Sequence, residues 1–342
     1  MAAAWSRCDA RLLPVDAIDA RDRKGSLVRR PQQAWANFHE ELVYTATSRA
    51  IESGRGELLM FHAAALADPV TRRAIALVAE SGTGKTTATR TLGRSFAYLT
   101  DETVAVDETR TVRPFPKPLS LLPESGLRPK DQAAPDELGL LPAVEGATLS
   151  RVAVLDRQPG RASAVAQPMP LAEALEHLSP QTSGLAWLDR GLVQLCRTLD
   201  ACGGALRLEY GESAQLAELT SELLAAAPTV AGGGWEPVDL TRSDAPPVPG
   251  TLQYRRIVPA DAVRITEAED DAVAVLCGEE LAVLHGLGPI LWEAAAAWQT
   301  ADDLLAAVVA AAGEHPRAGE LLEAHVADMV AHGLLETSRA VD

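Results

Sequence analysis

An apolar run at residues 74–78 leads into Ala79-Glu80-Ser81-Gly82-Thr83-Gly84-Lys85-Thr86, and the chain then continues to residue 92 without glycine or proline. A strand, a glycine loop and a helix in that order form a ready cradle for phosphate. Gly82 and Gly84 let the backbone curl so that successive N–H groups converge on an anion, and the helix start adds its positive dipole end. Lys85 adds a point charge for terminal phosphates, and the Thr86 hydroxyl is placed to hold Mg²⁺. Ser81, Gly82, Thr83, Gly84, Lys85, Thr86 and Thr87 are therefore the expected contacts of a nucleoside triphosphate, ATP first among them. Ala79 stands where this spacing usually has its first glycine, a position at the strand end that accommodates a methyl group.

Asp101 and Glu102 follow one helix and one strand later. In a parallel sheet that places both at the carboxyl edge beside the phosphates. A carboxylate there can accept the proton of an attacking hydroxyl, and a second can hold Mg²⁺. The bland alternative is an acidic turn between two strands. His62 closes the run Glu57-Leu58-Leu59-Met60-Phe61-His62 and could face the same crevice, although a single histidine after an apolar run is more often a structural residue.

These groups need positioning elements, and hydrophobic spacing predicts them. A helix is expected at 32–53, strands at 57–62, 74–78, 96–100 and 103–106, and a helix from 85 to 92. The prolines of Pro114-Phe115-Pro116-Lys117-Pro118 forbid regular helix. Residues 123–147 are expected as a surface excursion, 152–155 as a strand, 182–201 as a helix, 205–210 as a strand and 213–227 as a helix. Glycines at 232–234 and prolines within 244–250 suggest a linker. Beyond it the pattern changes to strands at 252–257, 271–277 and 280–284, then helices at 289–298, 301–312 and 317–332, with Thr300 as an N-cap.

The 342 residues exceed one small core, so two or three units are expected, with boundaries at 1–231, 232–250 and 251–342. The net charge of -16 disfavours nucleic acid and anionic membrane surfaces. Arg21, Arg23, Lys24, Arg29 and Arg30 form a basic cluster that reads as a solvated strip. Cys8, Cys196, Cys202 and Cys277 have neither metal-ligand nor disulfide spacing, which suggests reduced thiols. No targeting or membrane-spanning stretch is evident, so a cytoplasmic location is expected and no membrane partner. Homo-oligomerisation stays open.

Residues of about 55–125, within a first unit reaching about residue 230, resemble the HPr kinase/phosphorylase family and its smaller relatives. That family shares a P-loop core with phosphoenolpyruvate carboxykinases. The likeness rests on Glu80-Ser81-Gly82-x-Gly84-Lys85-Thr86, on His62 upstream of the loop, and on Asp101-Glu102 at the family's Asp-Asp pair. It implies ATP and Mg²⁺ as cofactors, Asp101 as the base that deprotonates a serine hydroxyl, and Thr86, Asp101 and Glu102 at the metal. Lys85 and His62 join Asp101 as catalytic residues in that reading. The run from Pro114 to Leu121 is similar to a motif of HPr-kinase-related proteins that are not the true HPr enzymes, which shifts the substrate away from HPr. Two family elements are missing: the Glu-Ile-Arg-Gly segment and the arginine-rich element of the reverse reaction. A kinase is therefore expected rather than a phosphorylase. Glu124, Arg128 and Arg157 could substitute in part, or be exposed charge.

The last ninety or so residues resemble the PqqD-like family, small winged-helix-like α+β domains that hold the leader of a ribosomally made peptide. Leu284-His285-Gly286-Leu287-Gly288-Pro289-Ile290-Leu291-Trp292 carries the likeness, with His285 in place of the family's asparagine, joined by Leu304-Leu305 and His332-Gly333-Leu334-Leu335. The resemblance implies a peptide added to the edge Glu280–Leu284, with the helix 317–332 as the other wall. Val326, Met329 and Val330 are candidate pocket residues there, or core; Trp292 reads as core. A winged-helix DNA reader is disfavoured, because acidic residues outnumber basic ones 16 to 5 over 251–342.

The expected fold class is thus α/β, with a P-loop kinase-like core followed by a small PqqD-type domain. The expected function is transfer of the γ-phosphoryl group of ATP to a Ser or Thr hydroxyl of a ribosomally synthesised precursor peptide. A non-catalytic ATP-gated adaptor and a kinase of a small-molecule hydroxyl are the alternatives.

Overall fold

In the computed structural model, which describes residues 2–8, 27–80, 83–123, 126–266 and 271–338, the run before the glycine loop is a strand whose last five residues are buried on both faces. The chain divides into two compact units, and both mix helices with sheets, as an α/β protein does. The first unit takes Met1–Met169, Gln181–Gly184 and Thr198–Ala231. The second takes Pro170–Pro180, Leu185–Arg197 and Gly232–Asp342.

The first unit contains β1 (Leu59–Phe61), β2 (Ala63–Ala67), β3 (Arg73–Val78), β4 (Ala97–Thr100), β5 (Val104–Val106), β6 (Val112–Arg113), β7 (Leu119–Leu121), β8 (Asp131–Ala133), β9 (Thr148–Arg157), β10 (Val165–Met169), β11 (Thr182–Ser183) and β12 (Ala205–Tyr210). Its main sheet has the order β10-β12-β9-β3-β2-β4. Neighbours are parallel from β12 through β9 to β3, whereas β2 runs antiparallel to both β3 and β4. The register Ala63↔Val78 brings the start of β2 beside the end of β3, and Ala65↔Thr100 brings the end of β4 to the same rim. Three chain segments that are remote in sequence therefore open on one sheet edge.

The sheet holds because both faces are dry. Leu66, Ile75 and Leu77 lie in one core with Ala88 and Leu92 of the Lys85–Leu92 helix and with Leu216 and Leu224 of the Leu216–Ala225 helix. Near-continuous apolar strands suit such a doubly covered sheet. A smaller antiparallel sheet, β11-β1-β5-β6, and the β7–β8 pair accompany it. Residues 123–147, expected as a surface excursion, include β8 and the buried Ala134, Leu140 and Ala147.

The second unit contains β13 (Trp235–Pro237), β14 (Tyr254–Arg256), β15 (Asp261–Ile265), β16 (Ala272–Cys277), β17 (Glu280–Leu284) and β18 (Leu335–Thr337). An antiparallel sheet of order β13-β15-β16-β17 packs with the Gly288–Ala294, Ala301–Ala312 and Ala318–Ala331 helices around Trp292, Leu304, Leu322 and Val326. The helix Leu171–Leu178, where no element was expected, packs on β16 and β17. Only Gly191–Ala201 of the stretch 182–201 is α-helix. The stretch 232–250, expected as a linker, supplies β13, which pairs with β15. Thr300 caps its helix as expected: its Oγ1 accepts from the Asp303 N–H at 3.2 Å.

No helix among the described residues is long and apolar enough to cross a membrane. All four cysteines are free thiols.

Candidate functional site

The rim shared by β2, β3 and β4 borders a cleft of about 350 Å³. His62, Lys85, Thr86, Thr87, Asp101 and Glu102 line it, joined by Glu80, Gly84, Arg90, Lys117, Ser120, Leu121, Leu122 and Lys130. The sequence-predicted residues within this group come from three segments, and the topology brings them together. Thr83 is exposed beside it, its hydroxyl donated to the Glu80 carbonyl at 2.7 Å. Ser81 and Gly82 lie outside the described residues, as does Glu124. Arg128 and Arg157 pair with Glu40 and Glu212 and do not line the cleft.

Gly84 sits at the helix N-terminus with φ 100°, a conformation that L side chains rarely adopt, and a Cβ there would lie 3.3 Å from the Tyr210 hydroxyl. The chain can therefore turn sharply into the helix that begins at Lys85. The Lys85 ammonium donates to the His62 carbonyl at 3.3 Å. Burial pulls its pKa down to about 8, against the opposing pull of Asp101 and Glu102. An ammonium held half-desolvated beside a helix N-terminus is well prepared for phosphate oxygens.

His62 falls between β1 and β2 rather than at the end of one strand. Its backbone is pinned, the N–H donating to the Gln181 carbonyl at 2.6 Å. Burial, and then Lys85, push the imidazole below its ordinary pKa, so it is neutral at pH 7 and able to accept a proton or a hydrogen bond.

The carboxylate pair is tied by a residue that sequence reasoning did not single out. Lys117, 0% exposed, places Nζ 2.9 Å from Asp101 Oδ1 and 2.9 Å from Glu102 Oε2. The buried Tyr98 hydroxyl lies 3.0 Å from the same Asp101 Oδ1, to which it donates, and Thr47 Oγ1 donates to Glu102 Oε2 at 3.4 Å. Burial opposes the charge on Lys117, yet the two carboxylates outweigh it and raise the lysine pKa. Burial likewise pushes the Glu102 carboxyl up, but Lys117, helped by His62 and Lys85, holds it below the ordinary glutamate value. The local mark is a lone charge between two prolines, which does not tell whether the ammonium turns inward.

Four cationic side chains and three carboxylates surround the cleft of a chain whose net charge is -16. Arg90 and Lys130 make no ion pair among the described residues, so their charge is available to an anion. Among those residues no group of three or more His, Cys, Asp or Glu forms a metal cage. The donors present are a threonine hydroxyl and carboxylate oxygens, which fits a Mg²⁺ ion that keeps waters and binds through one or two carboxylates and substrate phosphates.

In the second unit, β17 is an edge strand with β16 as its neighbour, and its first residue Glu280 is exposed. Val326 and Met329 are core members and Val330 packs against that core, so these three do not form an open pocket wall. Trp292 is fully buried, as expected.

No protein-family model, no curated protein and no solved structure matches the chain.

Proposed function

We propose that the chain is an ATP-dependent kinase of the HPr kinase-like type, fused to a PqqD-like peptide-recognition domain, and that it phosphorylates a Ser or Thr hydroxyl of a ribosomally made precursor peptide. The observation that carries this reading is the convergence of Lys85, Thr86, His62 and the Asp101–Glu102 pair on one cleft, from segments up to forty residues apart.

Bound ATP would supply the phosphoryl group, and Mg²⁺ the charge that neutralises it. The chain's own groups do the rest. Main-chain N–H groups at the start of the Lys85–Leu92 helix would bind phosphate oxygens, Lys85 would hold the terminal phosphates, and Thr86 would hold the metal. Asp101 is anchored through Oδ1, which leaves Oδ2 to take the proton of the acceptor hydroxyl. Neutral His62 can hydrogen-bond the acceptor or a phosphate oxygen. In the second unit, the β17 edge offers backbone groups to an extended leader, and tethering the leader raises the local concentration of acceptor.

The ion pairs of Lys117 favour a second reading. An acid whose Oδ1 is already engaged by a buried ammonium and a tyrosine hydroxyl suits a binding role, as in a non-catalytic, ATP-gated adaptor. Mass spectrometry of a candidate precursor after incubation with ATP and Mg²⁺ separates the two. The kinase adds the mass of one phosphate; ATP binding with an unchanged peptide mass supports the adaptor.

A further inference from the structure

Two carboxylates converge on one buried ammonium at the cleft. Lys117 Nζ lies 2.9 Å from one oxygen of Asp101 and 2.9 Å from one oxygen of Glu102, with 1% of its side chain exposed. Removing an ammonium from water is costly and is offset only where charge and hydrogen bonds are well placed. The neutral donors reinforce the same arrangement: Tyr98 sits on Asp101 Oδ1 and Thr47 on Glu102 Oε2. Asp101 Oδ2 and Glu102 Oε1 receive no hydrogen bond among the described residues. Pro116 and Pro118 are buried on either side of Lys117 and fix φ at both positions, so the segment that presents the ammonium cannot easily swing away.

Two carboxylate oxygens that share one cationic partner are the kind of donors a divalent cation takes up. An ammonium at the bridging point supplies positive charge, fixes the spacing of the two acids and denies a second ion the space and the field it would need. We infer that Lys117 is a built-in cation for the Asp101–Glu102 pair, so that the cleft takes a single divalent ion, the one that arrives with the triphosphate. The single-ion half rests on the nucleotide reading proposed above; the exclusion of a metal from the bridging position does not. Lys117 is a positioning residue here, acting on bound groups through the two acids.

The test uses Mn²⁺ as the probe, its binding read from the electron paramagnetic resonance of the free ion, on the full chain with and without ATP. Wild type without nucleotide is expected to bind no Mn²⁺ at the pair, and with ATP to bind one ion per chain. Lys117→Met keeps the stem length and removes the charge; it is expected to gain a Mn²⁺ site without nucleotide, and Lys117→Met with Asp101→Asn is expected to lose it again. Two Mn²⁺ ions per chain with ATP, or a Mn²⁺ site in nucleotide-free wild type that Asp101→Asn removes, would overturn the inference. So would a folded Lys117→Met protein that binds no Mn²⁺. If Lys117→Met fails to fold, the wild-type measurements decide. Absence of ATP binding sinks the kinase reading instead and leaves the nucleotide-free comparison to judge Lys117.

Discussion

Each unit buries an acid against a base, and the two clusters are finished differently. In the second unit Asp261, 0% exposed, uses both oxygens: Oδ1 pairs with the Arg190 Nε at 2.6 Å and takes the Ala262 N–H at 2.8 Å, and Oδ2 takes the Val193 N–H at 3.0 Å. In the first unit Asp101 and Glu102 are each anchored through one oxygen only. The Asp261 cluster does not border the cleft, whereas the Asp101–Glu102 cluster lines it. A fully satisfied buried carboxylate acts as a strut, tying the inserted stretch Leu185–Arg197 to β15. A carboxylate with one oxygen held and one left over is fixed in place but still able to react. Leftover acceptor capacity at a rim, rather than burial or charge alone, separates a site from a brace.

That distinction predicts opposite signatures for two substitutions. Asp101→Asn should lower phosphoryl transfer by about 10²–10⁴-fold, the usual worth of a positioned base, while ATP binding stays close to wild type and the stability loss stays below that of Asp261→Ala, because Glu102 still faces the Lys117 ammonium. Steady-state rates with a phosphorylated peptide as readout check it, and undiminished turnover would remove Asp101 from the base role. Asp261→Ala should do the reverse. Leaving Arg190 and two N–H groups without their partner costs about 3 kcal/mol, the low end for a broken buried pair because Arg190 reaches water. Denaturant melts should show that loss with ATP affinity unchanged; equal effects of both substitutions on stability and on binding would erase the distinction.

A smaller effect follows from Lys85. Its free pKa is lowered to about 8, and phosphate oxygens favour the protonated form, so binding must raise that pKa and take up a proton. Affinity for ATP should therefore fall as pH rises through about 8, by up to tenfold for each further unit. Calorimetry near pH 8.5 in buffers of different ionisation enthalpy should register the uptake. Affinity that stays flat across this range would contradict it.

The legible parts of the molecule were those set by local chemistry. The strand before the glycine loop, the helix after it and the Thr300 cap follow from neighbouring residues, and they lie where spacing puts them. β2 was not foreseen as a separate strand, because alanine has low strand propensity; it becomes a strand by lying between β3 and β4 with both faces covered. β15 begins with an aspartate whose burial depends on Arg190, some seventy residues earlier in the chain, so no local pattern revealed it. Leu171–Leu178 carries apolar residues at helical spacing, with Leu171, Ala174, Leu175 and Leu178 buried, but its eight residues are short for recognition from periodicity. Lys117 escaped for the same reason as β15. Its partners lie fifteen and sixteen positions away, and nothing within the Pro-Lys-Pro run states that the ammonium turns inward.

The most direct test is an isothermal titration of ATP with Mg²⁺ into the full chain and into Lys85→Ala. One nucleotide bound per wild-type chain, with binding lost or weakened at least about a hundredfold in the variant, is the expected result for a charge-assisted contact of about 3 kcal/mol. No heat in wild type with any purine triphosphate, or equal binding by Lys85→Ala, would contradict the assignment of this cleft to polyphosphate.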